Sequence, residues 1–416
     1  STGFQTGSGD DLVVLSDGEH RVRSEIDLDS TSVSFAAVGL NGRENTFSGT
    51  ARSTGISSGD GIDEIQILSA PSLASAEEGV FELDVSANAD RTVFGLAVTA
   101  LDLGPTATYD PEADARDGSK NKSEIKAIAS GVSAGNGADL IDLQGDVRAS
   151  ASSSVKSTGI SMTIEAAPVN PWQDNQVDVD MISIARSDGV IAGAGEDTIS
   201  VFGDLNSFSA ASSQNSVSSV SFPVDIPIPL VGAAGAASVF LSAGSEASST
   251  ARGLNGGADA DLVQYFGSNL DVRSDASATS TLVLLDAGVS IFEPSSSALA
   301  ALPSLESSVL TATADSTSRA EGFLGGDGND TLFLASDAIG NVQANASSEN
   351  IAVAIELSID ATGEEGPPST SFNLGGFDTQ SASLSTAIGF SGGDGADILN
   401  NAGLMSVLAI SSAKSG

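Results

Sequence analysis

Seven copies of a short motif rich in glycine and aspartate constrain the fold of this chain more than any other feature. The clearest copy, residues 322–334, reads GFLGGDGNDTLFL: a glycine-rich turn, an aspartate and then a strand of alternating apolar residues. The shared core is G-[apolar]-x-x-G-x-G-x-D-x-[apolar], and in the fifth copy Asp259 replaces the third glycine. A motif repeated this often predicts a repeat architecture. The seven core aspartates are Asp11, Asp63, Asp139, Asp197, Asp261, Asp330 and Asp397.

The spacing between the copies is variable. Successive core aspartates are between 52 and 76 residues apart, by subtraction of their numbers. A fixed motif with variable spacing indicates that the motif has a fixed structural place, while insertions between copies are tolerated. We therefore expect one repeat domain over residues 1–416. Its repeats run approximately over 1–52, 53–128, 129–186, 187–250, 251–319, 320–386 and a shorter 387–416.

The segments between the motifs follow one pattern. A short apolar strand comes after each aspartate, then a turn, and a second strand of alternating small residues starts roughly ten residues past the aspartate. A variable excursion follows, with polar or Pro-rich tips at 104–122, 167–176, 222–232 and 363–370, and a returning strand then enters the next motif. Helical periodicity is nearly absent; one Ala/Leu-rich segment, 295–305, is a helix candidate interrupted by Pro303.

These features predict an all-β fold, a parallel β-solenoid or β-roll-like stack of about seven large coils with projecting hairpin insertions. The alternating Ala and Ser residues fit this architecture, because small side chains allow sheets to pack closely and serine hydroxyls can hydrogen-bond in rows. An array of two-sheet sandwiches is the competing architecture.

The composition narrows the possible partners. The chain has 55 acidic and 16 basic side chains, a net charge of -39. Nucleic acid and anionic membrane surfaces are not expected partners, since both need a basic surface. Cysteine is absent, so disulfides and thiolate metal sites are excluded. The chain has no run of 18 apolar residues, so the sequence does not predict insertion in a membrane.

The motif resembles the calcium-binding nonapeptide of RTX proteins, G-G-x-G-x-D-x-U-x. Residues 325–333 (GGDGNDTLF) fit it completely, 392–399 (GGDGADIL) fit as far as the strand, and 256–264 (GGADADLVQ) lack one glycine. The resemblance implies a parallel β-roll in which Ca²⁺ lies between stacked turns, held by the core aspartate and by main-chain carbonyls. In that family the nonapeptides are tandem, whereas here they are dispersed. Up to six calcium sites between neighbouring coils are therefore possible, and they require one motif per coil along one edge of the stack.

The expected calcium-binding residues extend beyond the core aspartates. Glycines with positive φ are expected to turn their carbonyls inward, and the residue between them adds a ligand where it is polar. The alternative is a tight corner in which the aspartate bonds main-chain N–H groups as in an Asx-turn. The further candidates are Asp60, Asn136, Asp259, Asp327, Asp394, Gly7, Gly9, Gly59, Gly61, Gly135, Gly137, Gly193, Gly195, Gly257, Gly326, Gly328, Gly393 and Gly395.

The function expected from the sequence is structural. We expect a secreted protein of the cell surface, a subunit that stacks end to end on copies of itself into a calcium-stabilised filament, sheath or surface layer. The final residues SSAKSG resemble the returning strand TARSTG at 50–55, and the first residues, STGF, resemble its continuation. The alternative is a repeat stalk or adhesin module that binds a surface polysaccharide or protein through its insertions. An enzyme is not expected, because His20 is the only histidine and Tyr109 and Tyr265 the only tyrosines.

Overall fold

A computed structural model of the chain describes residues 1–16, 18–36, 43–68, 82–100, 116–166, 172–225, 236–291, 309–361, 369–373 and 376–416. The centres of the four excursion tips, the helix candidate 295–305 and Tyr109 are outside the described residues, as is the side chain of Trp172. The described residues contain strands and turns but no helix, so none that is long and apolar enough to cross a membrane.

The strands form seven coils, and in all but the first coil a short strand lies between two longer ones; the leading strand of the first coil has only four residues. The first three coils contain β1 (Thr2–Gln5), β2 (Leu12–Ser16), β3 (Glu19–Ala36); β4 (Arg43–Asp60), β5 (Glu64–Leu68), β6 (Glu82–Ala100); β7 (Arg116–Asn136), β8 (Leu140–Leu143), β9 (Asp146–Ala166). The next two contain β10 (Trp172–Ala194), β11 (Thr198–Val201), β12 (Leu205–Asp225); β13 (Ala236–Ala258), β14 (Leu262–Tyr265), β15 (Asn269–Ile291). The last two contain β16 (Val309–Asp327), β17 (Thr331–Leu334), β18 (Ile339–Ala361), β19 (Ser369–Asn373); β20 (Gly376–Asp394), β21 (Ile398–Asn401), β22 (Leu404–Ser415).

Equivalent strands of successive coils pair in parallel and build three sheets. Sheet A has the order β1-β4-β7-β10-β13-β16-β20, and sheet B the order β2-β5-β8-β11-β14-β17-β21. Sheet C runs β3-β6-β9-β12-β15-β18, where β22 pairs in parallel with the first half of β18 and β19 pairs antiparallel with its second half. The fold is therefore the parallel β-solenoid predicted from the repeats, and the sandwich array is wrong.

The long strands extend much further than the sequence pattern suggested. The sequence predicts a second strand followed by a variable excursion, yet β9 and β12 each form one strand of 21 residues paired over almost all of its length. The alternation of small residues simply continues outward along both long sheets. The segments expected to form projecting hairpins thus begin as extensions of sheets A and C.

The interior between sheets A and C is thin and made largely of Ala, Val and Ser. Buried side chains alternate with more exposed ones along the strands of the inner coils, as over residues 310–319 of β16, and the buried set forms one continuous core. Among the described residues, buried serine hydroxyls bridge the two long sheets, and Ser316 and Ser383 of neighbouring sheet A strands also hydrogen-bond to each other at 2.7 Å. Ser183 of β10 donates to Ser153 of β9 at 2.9 Å, and Ser245 of β13 to Ser213 of β12 at 2.8 Å. Short side chains bring the sheets close enough for these bonds.

Candidate metal centre

The seven motifs lie one above another along one edge of the solenoid. Each motif contains the end of a sheet A strand, a corner, and the start of a sheet B strand. The register is strict: Gly59 pairs with Gly135, and Gly135 with Gly193. Gly193, Gly257, Gly326 and Gly393 continue the same column. The condition that the sequence set for inter-coil sites, one motif per coil on one edge, is therefore met.

The core aspartates form a hydrogen-bonded file that runs the length of the stack. The main-chain N–H of each aspartate donates to Oδ1 of the aspartate in the next coil, at distances between 2.8 and 3.0 Å. The main-chain carbonyl of each accepts the N–H of the residue after the next aspartate, as in Leu140 N–H to Asp63 O at 2.8 Å. Six steps of this kind join Asp11, Asp63, Asp139, Asp197, Asp261, Asp330 and Asp397.

The second carboxylate oxygen of these aspartates has no hydrogen-bond partner. Oδ2 is buried and unpaired in six of the seven, and Asp63, Asp139, Asp197, Asp261 and Asp330 are each at most 3% exposed. A buried carboxylate oxygen without a donor costs free energy unless a proton or a cation satisfies it. The file therefore offers one unsatisfied oxygen in each of the first six coils.

Burial changes the acidity of this file. Desolvation, together with neighbouring carboxylates, raises the pKa of Asp197 and of Asp261 to about 7, although the N–H donors oppose the shift. Desolvation also raises the pKa of Asp139 and Asp330. Negative charge on neighbouring coils is therefore poorly compensated by the protein alone.

The glycine column has the backbone conformation expected for it. Twelve of the thirteen candidate glycines have positive φ, the exception being Gly7, and Asp259 adopts φ 78° in place of the missing glycine. A Cβ on Gly135 would lie 1.5 Å from the carbonyl oxygen of Gly59, so only glycine fits this close inter-coil contact. The carbonyls of the glycines point along the stack at the adjacent coil. They do not turn inward as the sequence pattern suggested, because parallel pairing continues through the corner.

The polar residues between the glycines form a separate, outer row. Asp60, Asn136, Asp327 and Asp394 are exposed, as is Asp259 one position later in its own copy. Asn136 Nδ2 donates to Asp60 Oδ1 at 2.8 Å, which joins two neighbouring coils. In the described part of the chain, no three acidic or histidine side chains converge on one point. The sequence placed the core aspartates and these residues in one ligand set; the structure shows the core aspartates buried and the outer row exposed.

The sequence analysis did not include the first glycine of the G-G-x-G-x-D nonapeptide among the site residues. In the three copies with a Gly-Gly pair, Oδ2 of the core aspartate lies over this glycine: a Cβ would be 2.4, 2.3 and 2.2 Å from it at Gly256, Gly325 and Gly392. Ser58, Ala134 and Ala192 occupy the same place in other copies and leave less room beside the carboxyl group. The doublet itself was the available signal, since these are the copies that fit the nonapeptide best.

The residues present fit a calcium ion in their donor chemistry. Calcium prefers carboxylate and carbonyl oxygens, and each inner aspartate keeps one oxygen free of hydrogen bonds. Oδ2 of Asp63, Asp139, Asp197, Asp261 and Asp330 would hold the ion, with main-chain oxygens or water completing the shell. Bound calcium would supply positive charge that compensates the negative charge of the stacked carboxylates.

His20 and Tyr265, the residues weighed earlier for catalysis, make contacts within the fold. His20 contacts the ring of Phe4 with centroids 5.4 Å apart, and the buried Tyr265 donates its hydroxyl to the carbonyl of Asn269. On sheet A, Arg252 lies 2.8 Å from Glu321 and 3.6 Å from Asp188. Arg148 likewise lies 2.9 Å from Glu82 of the preceding coil, whereas Arg186 and Arg273 each pair with an aspartate two positions away on the same strand.

Comparison with known proteins does not place the chain in a family. No family model matches it, and no significant match was found among curated proteins or solved structures.

Proposed function

We propose that the chain is a structural subunit of an extracellular, calcium-stabilised filament, sheath or surface layer that assembles head to tail. One observation carries this proposal: the corner motifs stack in register and leave a file of buried, unpaired carboxylate oxygens. Bridging cations along such a file make cohesion between coils depend on the calcium of the surroundings. Extracellular calcium is plentiful enough to satisfy such a requirement, which supports location on the cell surface.

The last described coil leaves interior side chains open to solvent. A solenoid ends in open strand edges unless a cap or a further coil covers them. At the last described coil, Leu399 and Val407 face the interior yet are 51% and 45% exposed, whereas Leu332 and Val342, their counterparts one coil earlier, are 0% exposed. A further coil placed on this end would bury them in the same way.

Electron microscopy of the purified chain with calcium and after chelation tests the proposal. We expect long fibres with calcium, loosened or dissolved fibres without it, and a melting temperature that rises with calcium concentration. Isothermal titration should find several binding events per chain. Fibres and melting that are unchanged by thorough chelation would remove calcium from the proposal, and isolated particles under both conditions would favour the stalk or adhesin alternative.

A further inference from the structure

The outer face of sheet C carries little charge for so acidic a chain. A row is a set of equivalent outward residues on successive coils, and in sheet C it is numbered by its residue in β9. From the third to the sixth coil, rows 154 to 160 contain sixteen side chains, of which two, Lys156 and Glu349, are charged. On the same coils, the four outward rows of sheet A that start at residues 122 to 128 of β7 contain eight charged side chains among sixteen. Depletion of charge on one face is typical of a protein interface.

Apolar side chains on this face are open to solvent. Val283, Leu285, Ile351, Val353 and Ile355 are between 38% and 42% exposed, and they lie side by side on the fifth and sixth coils. A coil added at either end of the stack would pair with a strand edge and would leave this face open. A partner that covers these side chains therefore approaches from the side of the stack.

We propose that two copies of the chain pair back to back through the outer faces of sheet C. The two-fold axis lies parallel to the strands, between the fourth and fifth coils, so each row faces the same row of the second copy and the order of the coils is reversed. The third coil of one copy then faces the sixth coil of the other, and the fourth faces the fifth. The pairing goes beyond the proposed function, because it uses neither the aspartate file nor the ends of the stack.

Charged residues are complementary about this axis. Lys156 of the third coil faces Glu349 of the sixth coil in the second copy, and the symmetry repeats the pair. Nearer the corner, the exposed Phe208 of the fourth coil faces Arg273 of the fifth, so a guanidinium lies within reach of an aromatic ring. In a chain with a net charge of -39, these contacts offset part of the repulsion between copies.

The other rows are compatible with the same axis. Apolar side chains meet in the outer half of the interface, where Val353 faces Ile160 and Leu285 faces Val220. In the middle, the small side chains of rows 152 and 154 leave a shallow groove of about 460 Å³ in each copy, and bridging water is usual where such polar surfaces meet. From the third to the sixth coil, rows 148 to 160 place no two like charges opposite each other.

A different axis does not give this match. A two-fold axis along the stack, centred on the row of Lys156, would place Lys156 opposite Lys156 and Glu349 opposite Glu349. Self-complementarity about one axis is the property of a contact between identical copies. The area is adequate as well: four coils span about 19 Å and rows 148 to 160 about 40 Å, which gives about 760 Å² per copy against about 800 Å² in a typical stable interface. The occupant of this face is therefore a second copy of the chain.

Charge reversal followed by sedimentation equilibrium, with calcium and after chelation, tests the pairing. Lys156→Glu alone and Glu349→Lys alone should each weaken dimerisation of the full chain about ten-fold or more, because like charges then meet at two places. The double variant should dimerise as the wild type does. The two single variants should also dimerise when they are mixed, since each of these facing pairs in the mixed dimer is again opposite in charge. Lys122→Glu, on the outer face of sheet A, changes the net charge as Lys156→Glu does and should leave dimerisation unchanged.

Circular dichroism establishes that each variant is folded. A wild-type chain that stays monomeric, single variants that dimerise as the wild type does, or single variants that fail to dimerise when mixed would each overturn the pairing. Fibres built from unpaired stacks would also overturn it and leave the proposed filament standing. Dimers with the expected response to charge reversal, in a protein that forms no fibres under any condition, would support the pairing and overturn the filament.

Discussion

The main-chain N–H of Asp197 donates a 2.9 Å hydrogen bond to Oδ1 of Asp261 in the next coil, and Oδ2 of each carboxyl group is buried without a partner. Each aspartate thus joins two coils through one oxygen and leaves the other unsatisfied. The hydrogen bond supports the ionised form, while burial and the adjacent carboxyl groups oppose it. The balance between the ionised and protonated forms of this pair determines how the stability of the solenoid changes with pH and calcium.

The first prediction concerns pH in calcium-free protein. Burial raises the pKa of Asp197 and Asp261 from 3.8 to about 7. Protonation therefore favours the folded state: this contribution is fully present below the unfolded pKa and is lost as the pH rises through about 7. We expect the melting temperature of the chelated protein to fall between about pH 5 and about pH 8.

The control for this prediction is the double variant Asp197→Asn, Asp261→Asn, whose melting should depend less on pH. Calcium should act in the opposite sense, because it binds the ionised carboxylates and so stabilises more as the pH rises. A chelated wild-type protein that becomes more stable toward pH 8 would contradict the assignment of these two groups.

The second prediction separates the two oxygens of one aspartate. Asp139→Ala removes the acceptor for the N–H of Asp63 and should cost about 1–3 kcal/mol of unfolding free energy, since a buried donor is left unpaired. Asp139→Asn keeps an Oδ1 acceptor and removes the charge, so it should be close to neutral without calcium. Chemical denaturation of both variants measures the difference. With calcium present, the Asn variant should gain less stability than wild type, and an equal gain would show that this carboxylate holds no ion.

The third prediction compares two glycines of the motif. Gly326 has φ 115°, and a Cβ there would lie 1.7 Å from the carbonyl oxygen of Gly257. Gly326→Ala should therefore cost more than the about 1–3 kcal/mol typical of backbone strain alone. At Gly7 the φ is not positive and nothing lies within 4 Å of a Cβ, so Gly7→Ala should be tolerated. Equal melting temperatures for the two variants would contradict the inter-coil contact described for the corner.

The fourth prediction concerns ionic strength. The chain has a net charge of -39, and its exposed carboxylates repel one another within and between copies. Added sodium chloride shortens the screening length to about 10 Å at 0.1 M, so it should raise the melting temperature of the chelated protein and lower its critical concentration for assembly. Circular dichroism and sedimentation measure these effects. A fall in both stability and assembly with salt would indicate that ion pairs such as Arg252–Glu321 outweigh the general repulsion.

Much of the fold follows from the sequence because the relevant signals are local and repeated. The sequence predicts a short strand after each core aspartate, and β8 indeed begins at Leu140, directly after Asp139, because apolar residues alternate there between strong turn signals. The length of β9 was underestimated, since Ala and Ser differ too little in hydropathy to show where alternation ends. The pairing of Gly59 with Gly135 entered the sequence analysis only as a condition, one motif per coil along one edge, and the structure meets that condition.

The candidate site was predicted less completely than the fold. The motif identified Asp63 and Asp60 as members of one ligand set, but Asp63 is buried inside the corner and Asp60 is exposed outside it. The positive φ of the intervening Gly61 belongs to the turn that separates them, and a linear pattern cannot show which side each residue takes. The unpaired Oδ2 could not be predicted from the sequence either, because it depends on the hydrogen bond that the neighbouring coil makes to Oδ1.

Within the described residues, each strand of sheets A and B pairs only with its counterparts in the coils directly before and after it. The stability of such a stack approximates a sum of coil terms and nearest-neighbour terms, and folding can advance from one coil to the next. Each coil adds about 4.8 Å, the spacing of neighbouring strands. The number of coils therefore sets the length of the stack. Removing or inserting one repeat changes this length by one strand spacing and leaves the other corners unchanged.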